Sequence, residues 1–308
     1  MRRGDYEAAW IISDSILQKR LASGQTCWHW PRHLQYVWTG APLAEKRVLV
    51  RCYHGLGDTI QFIRFAQPLR RLAREVIVWV QPALLELART VPGVNKVLPL
   101  HDGAPDIGYE VDIEIMELPH ALRVTGAPLP AEVPYLFPPC GPPMRLGKAE
   151  LAVGVVWEAG GWDARRSVPP DLIAGLADVP LVRLYSLQRG PAASSAQSLP
   201  MSDIGSDDVL RTAARVQQLD LIVSVDTMVA HLAGALARPV WTLLHADCDW
   251  RWQQGRSDSV WYPTMRLFRQ TRPGDWQSVI HTVRSALAEK AARQSAAAMS
   301  DTRLSRSK

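Results

Sequence analysis

The sequence predicts an α/β protein made of two doubly wound halves that face one another across a cleft. Three observations carry this. Residues 219–244, LDLIVSVDTMVAHLAGALARPVWTLL, read as strand, tight turn, helix and strand. Their opening apolar run, Leu219 to Val225, suits a strand covered on both faces, where no alternation is needed. The same succession of apolar runs and helices starts at Arg47 and again at Leu151. Between the two series lies VPYLFPPCGPPM (133–144), whose five prolines after Val133 prevent regular structure and mark a linker. Ligands of such sheets sit beyond the carboxyl ends of the strands, so two of these edges across a hinge define a site between the halves.

At 308 residues the chain can bury two cores, and 47% hydrophobic with 21% charged residues is ordinary globular composition. The net charge of +5 is concentrated at the end of the chain. Lys290, Arg293, Arg303, Arg306 and Lys308 against Glu289 and Asp301 account for three of those charges, so a nucleic-acid partner is not expected. Cys27, Cys52, Cys140 and Cys248 are far apart and form no metal-ligand spacing, which fits free thiols in a reducing cytoplasm. Acidic residues soon after Met1 exclude a signal peptide from this reading, and no apolar run approaches the roughly 20 residues that span a bilayer.

In chain order, residues 5–21 read as an amphipathic helix with Ala8, Ile11, Ile12, Ser15, Ile16 and Leu17 on the stripe that seeks a partner. That partner is either this body or an upstream repeat. Residues 27–42 are loop, and Trp28, Trp30 and Trp38 are expected to pack this extension (1–45) onto the first half. Residues 47–53 are a strand, 54–73 a turn and helix, 75–80 a strand, 81–90 a helix and 96–100 a short strand. VDIEIM (111–116) alternates apolar and acidic residues, the pattern of a strand with one wet face. In the second half, 151–157 is a strand followed by the polar loop EAGGWDARRS, and Pro169, Pro170 and Asp171 open a helix. Residues 181–187 are a strand and Asp207–Asp208 start the helix before residue 219. An aromatic loop (245–263), a short strand (265–268) and a helix from about 275 to 288 complete the body. The polar, basic residues 289–308 are expected to be disordered.

The candidate chemistry lies at two turns. Ser224, Asp226 and Thr227 can cap the helix that starts near Met228, whose free N–H groups and dipole favour a phosphate. His231, four residues after Thr227, can share that ligand, and a capped core helix without ligand is the equal alternative. Gly55-Leu56-Gly57-Asp58 opens the first helix, with glycines allowing a sharp turn and a close backbone approach. Ile60 stands where a dinucleotide fingerprint needs glycine. Asp58 reads equally as an N-cap or as a general base for an acceptor hydroxyl, with His54 as a second proton acceptor. Arg165 and Arg166 are either solvated or neutralise a diphosphate. Gln188, at a strand end, can hydrogen-bond a base or ribose, and Trp250 can stack on a sugar or pack in the core. Asp247 and Asp249 alone do not make a metal site, and none is expected.

Together GLGDTIQF (55–62), the Arg165–Arg166 loop, SLQ (186–188) and SVDTMVAHLAGAL (224–236) resemble the heptosyltransferase-like glycosyltransferases of family 9. DWRW (249–252), WYPTMRLFRQ (261–270) and PGDW (273–276) resemble the branch of it often fused behind tetratricopeptide repeats. The resemblance spans about Arg47 to Ala288. It implies a GT-B architecture with an acceptor domain at 46–140 and a nucleotide-sugar domain at 141–288. It further implies inverting, metal-independent transfer without a cofactor from a nucleotide-activated sugar, commonly ADP-heptose, in lipopolysaccharide-type biosynthesis. Asp58 matches the catalytic base, with His54, Gly55, Leu56, Gly57 and Trp250 on the acceptor side. Asp226, Thr227 and His231 match the signature that holds the donor diphosphate, beside Ser186, Gln188 and Ser224. Arg165 or Arg166 replaces a lysine, and Met228 replaces a glycine, which leaves the donor open. The acceptor expected is a glycan, lipid-linked or protein hydroxyl, met in the cytoplasm or at the inner membrane face. A GT-B body that binds nucleotide but has lost transfer is the competing expectation.

Overall fold

The computed structural model describes residues 1–125, 129, 132–144, 146, 150–161 and 163–306, with side chains as far as residue 297. Two wholly parallel sheets organise it. The first joins β1 (Arg47–Arg51), β2 (Glu75–Val80), β3 (Lys96–Pro99) and β4 (Val111–Glu114) in the order β3-β2-β1-β4. The second joins β5 (Leu151–Val156), β6 (Val182–Ser186), β7 (Ser202–Asp203), β8 (Leu221–Val225), β9 (Val240–Leu244) and β10 (Met265–Arg269) in the order β10-β9-β8-β5-β6-β7. Central strands β5, β8 and β9 are buried along their whole length, as suits runs that are apolar but for Ser224 and Thr242. The edge pair at Ser202–Asp203 lies in a stretch whose polar composition reads as loop.

The helices are α1 (Tyr6–Ser23), α2 (Leu56–Phe62), α3 (Ala66–Arg70), α4 (Leu85–Ala88), α5 (Leu118–Ala121), α6 (Pro170–Ala174), α7 (Val209–Gln218), α8 (Met228–Ala235) and α9 (Trp276–Arg306). The single helix expected over 54–73 is broken by a 3₁₀ turn at Ile63–Phe65, because Pro68 has no N–H to continue the ladder and sits instead in the first turn of α3. One core runs from the first sheet (Val48, Val50, Val76, Val78) through α2 to α8 and β8–β9 of the second, so the halves share apolar packing. The outer face of the first sheet, Leu49, Ile77 and Trp79, is closed by loop side chains, among them Tyr53, Ile107 and Tyr109. The proline-rich stretch is fastened to both halves: Tyr135 donates its N–H to Ala235 O and its hydroxyl to Ile60 O.

Three expectations are corrected. The stripe Ala8, Ile11, Ile12, Ile16 faces outward, and Ile11 is 70% exposed. α1 instead turns in Tyr6 and Trp10, because larger anchors decide its rotation. The Trp10 indole donates to Val124 O at 2.6 Å, and Asp14 pairs with His120 and Arg123. With Arg2 on Asp247 and Tyr6 against Gln253, α1 straps α5 of the first half to the loop after β9 of the second. The body thus holds α1 by the face of Tyr6 and Trp10, while the Ile11–Ile12–Ile16 stripe is left outward. Trp38 packs as expected, its ring on His120, but Trp28 and Trp30 stay exposed. The tail expected to be disordered continues α9 to Arg306, since it is rich in alanine and charged helix formers and has no glycine or proline; Ala291 is buried on the second sheet's outer core. Residues 307–308 lie outside the described residues.

Candidate active site

The parallel order brings the carboxyl ends of β1 and β8 together, and with them the two helices that follow. α2 starts at Gly55, whose N–H is accepted by Asp58 Oδ2 at 3.1 Å, so Asp58 is a capping residue in geometry. α8 starts at Thr227, which makes no side-chain cap; its hydroxyl lies 3.0 Å from Ser224 Oγ, and Ser224 donates to Val225 O. The first amides of α8 thus keep their positive end unscreened by a cap. The two N-termini are in contact. A Cβ on Gly57 would stand 2.9 Å from His231 Cδ2 and 3.4 Å from Met228 Cα. Gly57 is required for this helix–helix approach, where the sequence suggested an approach to ligand.

Asp226 is the electrostatic centre of the donor-side turn. Its Oδ2 accepts the Trp252 indole N–H at 2.9 Å, its Oδ1 lies 3.6 Å from His231 Nε2, and its carbonyl accepts from Arg166 Nη1 at 2.9 Å. Burial pushes the carboxyl upward, but His231, Arg251 and the Trp252 N–H reverse this and hold it at about 2. His231 is 2% exposed, lies within 3.0 Å of the Tyr262 hydroxyl at Nδ1 and stacks on Trp252 at 5.4 Å. It therefore backs Asp226 from inside.

Other expected residues differ in what they can offer. Gln188 is buried and spent: Oε1 accepts from Trp157 and Glu158 N–H, and Nε2 donates to Glu158 and Arg189 carbonyls. It braces two loops where a base contact was expected. Ser186 is fully buried and accepts from Gln188 N–H. Arg165 is exposed and pairs with Asp163, with Asp247 at 3.8 Å. Trp250 is turned into an aromatic group with Phe62 and Trp261. Leu56 is half-buried against the shared core. Asp247 and Asp249 each face an arginine, Arg2 and Arg251, and among the described residues no cluster of His, Cys, Asp or Glu could hold a metal ion.

Sequence reasoning missed two residues. Arg251, 8% exposed, donates to Asp58 Oδ1 and Gln61 Oε1 in the opposite half, both at 2.8 Å, and to Asp249 Oδ1 at 2.9 Å in its own. Glu114 was read as one wet position of an alternating strand, yet it is buried and lies 2.9 Å from His54 Nδ1. Burial lowers the His54 pKa, but the Glu114 hydrogen bond and charge, with Asp58 nearby, raise it overall. The buried Glu114 carboxylate thus orients the His54 ring and favours its charged form.

The fold and this constellation define a class: a GT-B body, two Rossmann-like sheets with their carboxyl edges opposed. No protein-family model matches the sequence. Protein FlbA of Caulobacter vibrioides is 24% identical over an alignment of 297 positions that covers 83% of this chain and 48% of FlbA. The chain thus spans about half the length of that curated relative. Among solved structures, the family 9 glycosyl transferase from Veillonella parvula superposes with a TM-score of 0.57 at 10% identity, covering 79% of this chain and 90% of that one. E. coli heptosyltransferase WaaC with ADP gives 0.53 at 14% identity, and E. coli ADP-heptose lps heptosyltransferase II gives 0.52 at 12%; each covers 79% of this chain and 99% of its own. The resemblance read from the sequence therefore holds at the level of fold. Among the described residues no helix is long and apolar enough to cross a membrane.

Proposed function

We propose that the chain is an inverting, metal-independent glycosyltransferase that needs no cofactor and moves a sugar from a nucleoside-diphosphate donor to an acceptor hydroxyl. The observation that carries this reading is the contact of two helix N-termini across the sheets: Asp58 opens α2, and Asp226 and Thr227 precede the uncapped amides of α8. In this reading the α8 amides and Arg166 take the diphosphate, while Asp226 and His231 fix the turn that presents them. Asp58 removes the acceptor proton as the oxygen bonds to the anomeric carbon. The bond from that carbon to the phosphate oxygen breaks, and its electron pair leaves with the nucleoside diphosphate. ADP-heptose is the first donor to try, because the solved heptosyltransferases of this fold are described with ADP and an ADP-heptose analogue. The acceptor is a glycan, lipid-linked or protein hydroxyl, and the setting the cytoplasm or the inner membrane face.

A second reading, a body that binds nucleotide without transfer, is favoured by one observation: both Asp58 oxygens are already engaged, by Arg251 and by Gly55 N–H. A panel of nucleotide sugars assayed by release of free nucleoside diphosphate separates the two. Transfer predicts release that falls about 10²- to 10⁴-fold in Asp58→Asn with nucleotide binding retained. Binding without release from any donor supports the second reading.

A further inference from the structure

Arg251 belongs to the loop after β9, yet its guanidinium lies in the other half's helix. Three of its nitrogens find three acceptors: Nη2 on Asp58, Nη1 on Gln61 and Nε on Asp249. Of the neighbouring residues, Trp252 ties the same loop to the donor side through Asp226, while Trp250 packs between Phe62 of α2 and Trp261 of its own half. One short segment therefore touches both the proposed base and the proposed donor turn. Gln61 Oε1 must face the guanidinium, because its NH₂ there would oppose another donor; this fixes the amide's orientation and leaves Nε2 buried without a hydrogen-bond partner. A buried unmet donor costs stability, which suits a residue kept to orient the guanidinium.

We infer that Arg251 is a positioning residue for the proposed transfer: reaching across the cleft, it fixes the Asp58 carboxylate in one orientation only while the two halves are closed. The inference rests on the glycosyl-transfer reading. Asp58 has two holders, the Gly55 amide from its own turn and Arg251 from the donor half. Opening the halves removes the second, so the base is held firmly only when the donor turn is in place. A planar guanidinium can satisfy Asp58, Gln61 and Asp249 together, whereas a lysine ammonium is a single point that cannot reproduce the fork.

The test compares wild type, R251K and Q61M with ADP and ADP-heptose, water serving as acceptor. Both variants should keep the rise in melting temperature that ADP gives wild type. Release of ADP from ADP-heptose should fall roughly tenfold to a hundredfold in R251K and less in Q61M. The loss should lie in kcat, with KM for ADP-heptose within about a factor of two. Wild-type turnover in R251K, or a loss confined to KM, overturns the inference. If wild type releases no ADP from ADP-heptose, the panel of nucleotide sugars decides the transfer reading, and carbodiimide labelling of Asp58, read by mass spectrometry, still decides this one. Several-fold faster labelling in R251K or Q61M supports it, and labelling equal to wild type overturns it.

Discussion

Trp252 holds Asp226 by a 2.9 Å hydrogen bond from its indole N–H to Oδ2, at the turn that opens α8. The carboxylate is buried and yet sits at about 2, below its ordinary 3.8. A depressed carboxyl contributes stability that is present above the unfolded value and is lost as pH falls through the window from 3.8 to about 2. Trp252→Phe removes one holder and a buried partner, so it should cost about 1–3 kcal/mol at neutral pH. It should also move acid unfolding to higher pH. Urea denaturation at a series of pH values checks both; an unchanged acid midpoint contradicts the assignment.

Glu117 behaves in the opposite sense. Burial raises its carboxyl to about 6, against the hydrogen bonds from Trp38, Glu114 and Val37 N–H. Because the folded form then holds a proton that the unfolded form releases, stability falls as pH rises from 4.5 to about 6. Glu117→Gln should abolish that slope and stabilise the protein at pH 7 by on the order of 1–2 kcal/mol. Chemical denaturation at pH 4.5 and pH 7 measures it.

Much of the architecture was legible because it rests on local signals. The apolar runs at 47–51, 75–80, 151–156 and 221–225 have few alternatives to buried parallel strands, and Asp58 and Asp226 announce helix starts by residue type. What escaped depends on contacts between residues far apart in the chain. Arg251 and Asp58 are separated by 193 positions, and nothing near either residue signals their pairing. Glu114 lies in an alternating pattern that says one face is wet; only the fold shows that this position faces His54. The rotation of α1 was misread because counting small aliphatics favours Ile11 and Ile12, while one indole hydrogen bond and the Asp14 pairs outweigh them.

That rotation makes a prediction of its own. Trp10→Ala removes a buried ring and its bond to Val124 O, and should destabilise by about 3–5 kcal/mol. Ile11→Ser and Ile12→Ser, both on the exposed face, should change stability by no more than about 0.5 kcal/mol. Thermal melts of the three variants rank the two faces of the helix directly.

Gly57 tests the contact between the helix N-termini. Alanine there puts a Cβ 2.9 Å from His231, so α2 and α8 must part, at about 1–3 kcal/mol. Gly160→Ala, where a Cβ meets nothing within 4 Å, is the control and should leave stability nearly unchanged. Equal melting temperatures for the two variants would mean that the helices are not closely apposed.

The measurement that bears most directly on the account is a crystal structure of the protein soaked with ADP. The account predicts the diphosphate on the first amides of α8, beside Thr227, Met228 and Arg166 and on the side that faces Asp58. A diphosphate bound away from that helix end, or an Asp58 turned out of the cleft with ADP in place, contradicts it.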